Sequence, residues 1–276
     1  MAANQNINDN LYMQIFLEPI EKCRLYKPKL GQSDQGDGIT LDLFKRIYGA
    51  DPLYHWVGLD SDLMYAAHKA AGGMTSVYRQ LGVSCERLFR KIILDTVFYD
   101  NASFVTWSYE ANKTVMKNNQ PTIATKVLTL DARLEIEAIN NPNVKQNLLD
   151  WLNGYCSKID ANIPKNGIVF EVRQGYKSKD SKRQNSDIEN ASIAWSKGYL
   201  PIFAIFSTQI DGTIANRYIN SRAGILVGST YDDVYTSLFS FTNHILGYDL
   251  AGFFQRNSYI LRSEMQSVLN DLLSAQ

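Results

Sequence analysis

GIVFEVRQ, residues 167–174, decides how this chain is read. Ile168, Val169 and Phe170 form an unbroken apolar run, the pattern of a strand covered on both faces. Glu171 follows directly, and burying a carboxylate there is costly unless something answers its charge. Arg173 lies two residues on, so it projects from the same face of a strand as Glu171. The sequel GYKSKDSKRQN, residues 175–185, sets Lys177, Lys179, Lys182 and Arg183 against the single acid Asp180. The whole chain is formally neutral, with 28 Lys+Arg against 28 Asp+Glu, so this local excess stands out.

Working upstream, residues 122–137 (TIATKVLTLDARLEIE) alternate over a long span. Leu128, Leu130, Ala132, Leu134 and Ile136 share one face; Thr129, Asp131, Arg133, Glu135 and Glu137 share the other. This strand and residues 104–110 (FVTWSYE) are expected to be antiparallel neighbours. A helix is expected over residues 75–97, where Val77, Leu81, Cys85, Leu88, Phe89, Ile92 and Ile93 recur at helical spacing. Another, over residues 61–71, is expected to stop at Gly72-Gly73. That glycine pair is no phosphate loop, since no Lys-Ser/Thr follows it. Residues 30–39 read as a polar, glycine-rich loop, and 143–152 as a short helix. Downstream come a helix over 186–199, a buried strand in PIFAIFS (201–207), a strand at 224–228 and a long helix pattern over 231–246. The expected fold class is α/β: a mixed central sheet flanked by helices. A helical N-terminal region, residues 1–70, serving dimerisation or DNA clamping, precedes a core of residues 71–276.

The chain has 276 residues and 45% apolar content, enough for one large core or a core with an appended lobe. Three cysteines are too few for a disulfide framework or a zinc site and fit a reducing compartment, so a cytoplasmic location is expected. No signal peptide, membrane span or organic-cofactor motif is read.

Phosphodiester hydrolysis uses a metal ion to polarise the phosphate and to acidify a bound water. Magnesium takes hard oxygen ligands, often one or two carboxylates. The minimal site is then two carboxylates on adjacent strands beside a basic surface. Glu171 supplies one. Asp131 is the preferred second and Asp160 the alternative; Glu86, on the amphipathic helix, is a candidate outer ligand. Lys177, Lys179, Lys182, Arg183, Gln184 and Asn185 offer donors and acceptors for DNA phosphates and base edges, with Gln209, Arg217 and Arg222 as further candidates. Taken alone, an E-x-R pair on a strand is more often a surface ion pair, and a basic loop more often simply solvated.

With these residues in view, the sequence resembles the ApaLI-like type II restriction endonucleases. The resemblance rests on GGMTSVYRQLGVSCERLFRKIILD, LTLDARLEI, GIVFEVRQGYKSKDSKRQNSDIENAS, LPIFAIFSTQIDGTIANRY and YDLAGFFQRNS, together spanning about residues 70–260. It implies a PD-(D/E)xK nuclease fold, magnesium dependence and cleavage of double-stranded DNA within a restriction-modification system. The target would be a short palindrome, GTGCAC for the family's namesake. A palindrome implies a two-fold symmetric homodimer. By position, Asp131 and Glu171 would hold the metal. The motif's usual lysine falls at Arg173, which stays protonated and cannot act as a base. Either Arg173 stabilises charge or Lys177 reaches into the site. A catalytically degenerate, sequence-specific DNA-binding protein is the alternative.

Overall fold

A computed structural model describes residues 2–29, 38–117, 120–175 and 181–274. The expected loop at 30–39 falls mostly on residues 30–37, outside those described. The chain packs as two compact units, Met1–Ser84 with Phe253–Gln276, and Cys85–Gly252. The sequence reading divides it once, near residue 70. Among the described residues, no helix is long and apolar enough to cross a membrane.

The first unit is helical: α1 (Ala2–Glu21), α2 (Leu41–Ala50), α3 (Pro52–Trp56) and the start of α4 (Asp62–Val97). The segment Phe253–Arg256, just before the C-terminal helix, packs on α1 through aromatic edges, Tyr12 on Phe253 and Phe16 on Phe254, and through an ion pair between Arg256 and Asp9. The expected stop at Gly72-Gly73 does not occur, because α4 runs through both glycines. A Cβ on Gly72 would stand 2.0 Å from the Tyr26 hydroxyl, and one on Gly73 2.5 Å from Leu272. Glycine costs a helix interior about 1 kcal/mol relative to alanine. Here the bare backbone admits two packing partners, which offset that cost.

The second unit holds both sheets. Strands β1 (Trp107–Lys117) and β2 (Gln120–Leu130) form the expected antiparallel pair. The long strand expected over 122–137 is broken at Asp131: β2 belongs to this ribbon, whereas β3 (Ala132–Glu135) enters a four-stranded sheet. Next come α5 (Pro142–Lys158), β4 (Gly167–Arg173), α6 (Ser181–Ser196), β5 (Tyr199–Ile205), α7 (Gly212–Asn220) and β6 (Gly224–Val227). The order is β3-β4-β5-β6, with β3 antiparallel to β4 and the other two pairings parallel. The fold is therefore mixed α/β, with a mixed sheet, as expected. Helix α5 is longer than expected; Asn141 caps it by accepting from the backbone N–H of Asn143 and Val144.

The 231–246 helix pattern yields only α8 (Leu238–His244), followed by α9 (Leu250–Arg256) and α10 (Ser258–Leu273). Asp233 explains the shortfall. Its carboxylate accepts from the Tyr235 N–H and the Thr236 hydroxyl, and Thr236 gives its carbonyl to Val227 at the end of β6. A local Asx turn and a sheet contact thus outcompete the helix.

Alternation sorts the central strand onto two faces. Phe170 meets Phe89 of α4 and Phe241 of α8 on one side. On the other, Val169 packs with Trp107, Leu130 and Ala194, and Phe203 of β5 stacks on Tyr218 of α7. Glu171 and Arg173 follow Val169 at period two, so they belong to the side covered by α6 and α7.

Candidate active site

The break at Asp131 builds the site. Its backbone N–H donates to the Phe170 carbonyl at 3.0 Å, continuing the β3–β4 ladder. One residue earlier, Leu130 pairs with Trp107 in the ribbon. Where the ladder ends, the Asp131 carboxylate takes over, accepting from the Val172 N–H at 2.7 Å. Arg90 of α4 donates from Nε to the Asp131 carbonyl at 3.0 Å and pairs with Glu86 one helical turn away. Asp131 is thereby fixed by backbone and side chain against the strand that carries Glu171.

Arg173 is the centre of the group. Its Nη2 pairs with Glu171 and lies 3.5 Å from Asp187 Oδ1; its Nη1 lies 3.9 Å from Asp131 Oδ2 and donates to the Val172 carbonyl at 3.4 Å. Asp187 sits on α6, is 5% exposed, and accepts from the fully buried Tyr218 hydroxyl at 2.7 Å. Four carboxylates (Glu86, Asp131, Glu171, Asp187) thus gather around two guanidiniums, Arg90 and Arg173. A cavity of about 10 Å³, on the scale of one water, is lined in part by Glu171, Asp187 and Asn190.

The electrostatics follow. Burial raises the pKa of Glu171; the Arg173 charge opposes that shift, and the neighbouring Asp131 and Asp187 add to it. Burial likewise raises Asp131, with Glu86 adding to the shift, against the Val172 hydrogen bond and the two arginines. Both carboxyls thus hold a proton to higher pH than a free carboxyl does, and a cation bound to them would have to displace it to solvent.

Asp131, Glu171 and Arg173 come together as the sequence suggested. Asp160 does not join them. It sits after α5, exposed, with left-handed backbone (φ 50°). Glu86 approaches from α4. Lys177 and Lys179 lie outside the described residues. Lys182, Arg183, Gln184 and Asn185, expected in a loop, form the first turns of α6. Lys182 and Arg183 are exposed there. Gln184 is buried and accepts from Arg217 Nη1 at 2.7 Å, while Asn185 accepts from Arg217 Nη2. Arg217 is therefore a strut between α6 and α7. Gln209 and Arg222 are exposed.

Sequence reasoning missed Asp187, Arg90 and Tyr218. Asp187 had a signal: with Ala191 and Ala194 it occupies one stripe of α6, and all three are buried. An acid on an apolar stripe calls for a partner.

The donor chemistry suits a hard divalent cation. Asp131 Oδ2, Glu171 Oε1 and the Val172 carbonyl all face the same guanidinium, and all are oxygens. Among the described residues no three or more His, Cys, Asp or Glu side chains converge as a ready-made cage. No family model, no curated protein and no solved structure matches this chain.

Proposed function

We propose that the chain is a magnesium-dependent endonuclease acting on double-stranded DNA, of the type II restriction class with a PD-(D/E)xK core. One observation carries the reading: Asp131, at the break between β2 and β3, and Glu171, on the neighbouring β4, meet around the Arg173 guanidinium, and the helix that follows β4 starts with exposed basic residues. The strand order, with the second acid on the central strand and α6 following it, suits that core. Magnesium would be held by Asp131, Glu171 and the Val172 carbonyl, and when bound it polarises the phosphate and acidifies a coordinated water. Arg173 stays charged at any working pH, so its part is to balance charge and hold the carboxylates in place. Lys182 and Arg183 would take DNA phosphates. Cleavage of a palindrome would require two copies of the chain.

Purified protein should cut phage DNA into discrete bands with magnesium and not with EDTA. Glu171→Ala should abolish cutting and leave duplex binding in place. Normal cleavage by that variant removes Glu171 from the site. A second reading, a DNA-binding protein without catalysis, draws on Arg173 itself, whose guanidinium already fills the space between the acids. A salt-dependent gel shift with no metal-dependent product would select it.

A further inference from the structure

The helical first unit carries a second basic surface that the proposed site does not use. Lys22, Lys27 and Lys29, on the segment after α1, face Thr75, Ser76 and Arg79 of α4 across a groove of about 610 Å³. Gly72, Thr75, Ser76 and Arg79 recur at helical spacing and so form one face of α4. No carboxylate is among the described residues that line the groove. An adjoining pocket of about 490 Å³ shares Leu25, Tyr26 and Lys27 with it and adds Arg24 and Lys69.

The two sets of cations differ in what they already do. Arg24 is bound to Glu264 and Asp271, and the buried Lys69 donates to the Ser274 carbonyl at 3.3 Å. Those two hold the unit together. Lys27, Lys29 and Arg79 are exposed, and none makes an ion pair among the described residues. Lys22 makes only a solvent-exposed pair with Glu18 at 2.9 Å, the kind worth least. Four cations and two hydroxyl donors spread along a groove, in a chain of zero net charge, match a row of phosphates better than a single small anion.

We propose that this groove binds the sugar–phosphate backbone of duplex DNA, adding sequence-independent affinity from the first unit. The inference rests on the duplex-DNA binding that the proposed function includes, and gives a role to the N-terminal region. Each phosphate neutralised by a cation steepens the salt dependence of binding by roughly 0.9 in log–log slope.

The test is fluorescence anisotropy on a labelled duplex without divalent metal, across a salt series, comparing wild type with Lys27→Glu/Lys29→Glu/Arg79→Glu. A charge-preserving variant, Lys27→Arg/Lys29→Arg/Arg79→Lys, is the control, and thermal unfolding of each reports folding. The triple glutamate variant should bind at least about tenfold more weakly, with a slope shallower by roughly 2–3, while the control keeps both. Wild-type affinity and slope in the folded glutamate variant overturn the groove and leave the endonuclease reading standing. A wild-type protein with no duplex affinity overturns both. A wild type that binds with the expected slope loss in the variant, yet never cuts with magnesium, upholds the groove and removes the endonuclease reading.

Discussion

Replacing Arg173 by methionine tests the centre of the candidate site, because it keeps the aliphatic stem and removes the guanidinium. The Arg173 side chain is 17% exposed, and its partners Glu171, Asp131 and Asp187 are 15%, 21% and 5% exposed. Little water can replace the lost charge. Removing one partner of a buried ion pair costs about 3–5 kcal/mol, since the remaining charge stays buried without its counterion. Three carboxylates would share that loss here. In a domain of this size each kcal/mol moves the melting temperature by roughly 2–4 °C, so Arg173→Met should melt roughly 6–20 °C below wild type. The assay is thermal unfolding at neutral pH in EDTA, followed by near-UV circular dichroism. The same substitution frees three oxygen donors for a divalent ion, so magnesium should raise the melting temperature of the variant more than that of wild type. A loss under about 0.5 kcal/mol, the usual range for surface substitutions, would refute the reasoning, because Arg173 would then be a dispensable surface cation.

Two further substitutions probe the same network. Tyr218→Phe removes the hydroxyl that donates to buried Asp187 and should cost about 1.5–3 kcal/mol, read as a lower urea midpoint with unchanged slope. An unchanged midpoint would mean that the hydroxyl does not hold Asp187. Arg173→Lys keeps the charge but loses the planar fork, and should cost about 1–3 kcal/mol. Adding Asp187→Asn should recover part of that, giving a coupling of at least about 1 kcal/mol in the double-mutant cycle; strict additivity would show that Asp187 does not select arginine.

How far the sequence reached is best judged from single residues. The strand around Glu171 and the alternation at 122–137 were legible because period two directly encodes which side chains share a face. The break at Asp131 was not, because alternation continues unchanged while the backbone changes partners, from Trp107 to Phe170. Periodicity reports faces and says nothing of which neighbour supplies the hydrogen bonds. Gly72-Gly73 misled for the opposite reason. Propensity argued for a stop, and long-range packing by Tyr26 and Leu272 overrode it. The start of α6 has the polar, basic composition of a loop. Only its buried stripe, Gln184, Asp187, Ala191 and Ala194, marks it as a helix facing the sheet.

Arginine at position 173 follows from that stripe. A lysine ammonium is a compact point charge, suited to a site with two carboxylates. Here a third carboxylate, Asp187, enters from α6 and is tied down by Tyr218. A guanidinium reaches Glu171 and Asp187 through one terminal nitrogen and Asp131 through the other. On the endonuclease reading, the arginine that stands where the motif would have a lysine and the buried acid on the following helix would therefore be one feature. On the proposed reading, a metal ion held by Asp131 and Glu171 would compete with Arg173 for the same oxygens, and Asp187 would keep the guanidinium paired. The acid that sequence reasoning missed would thus reconcile the proposed metal site with an arginine at its centre.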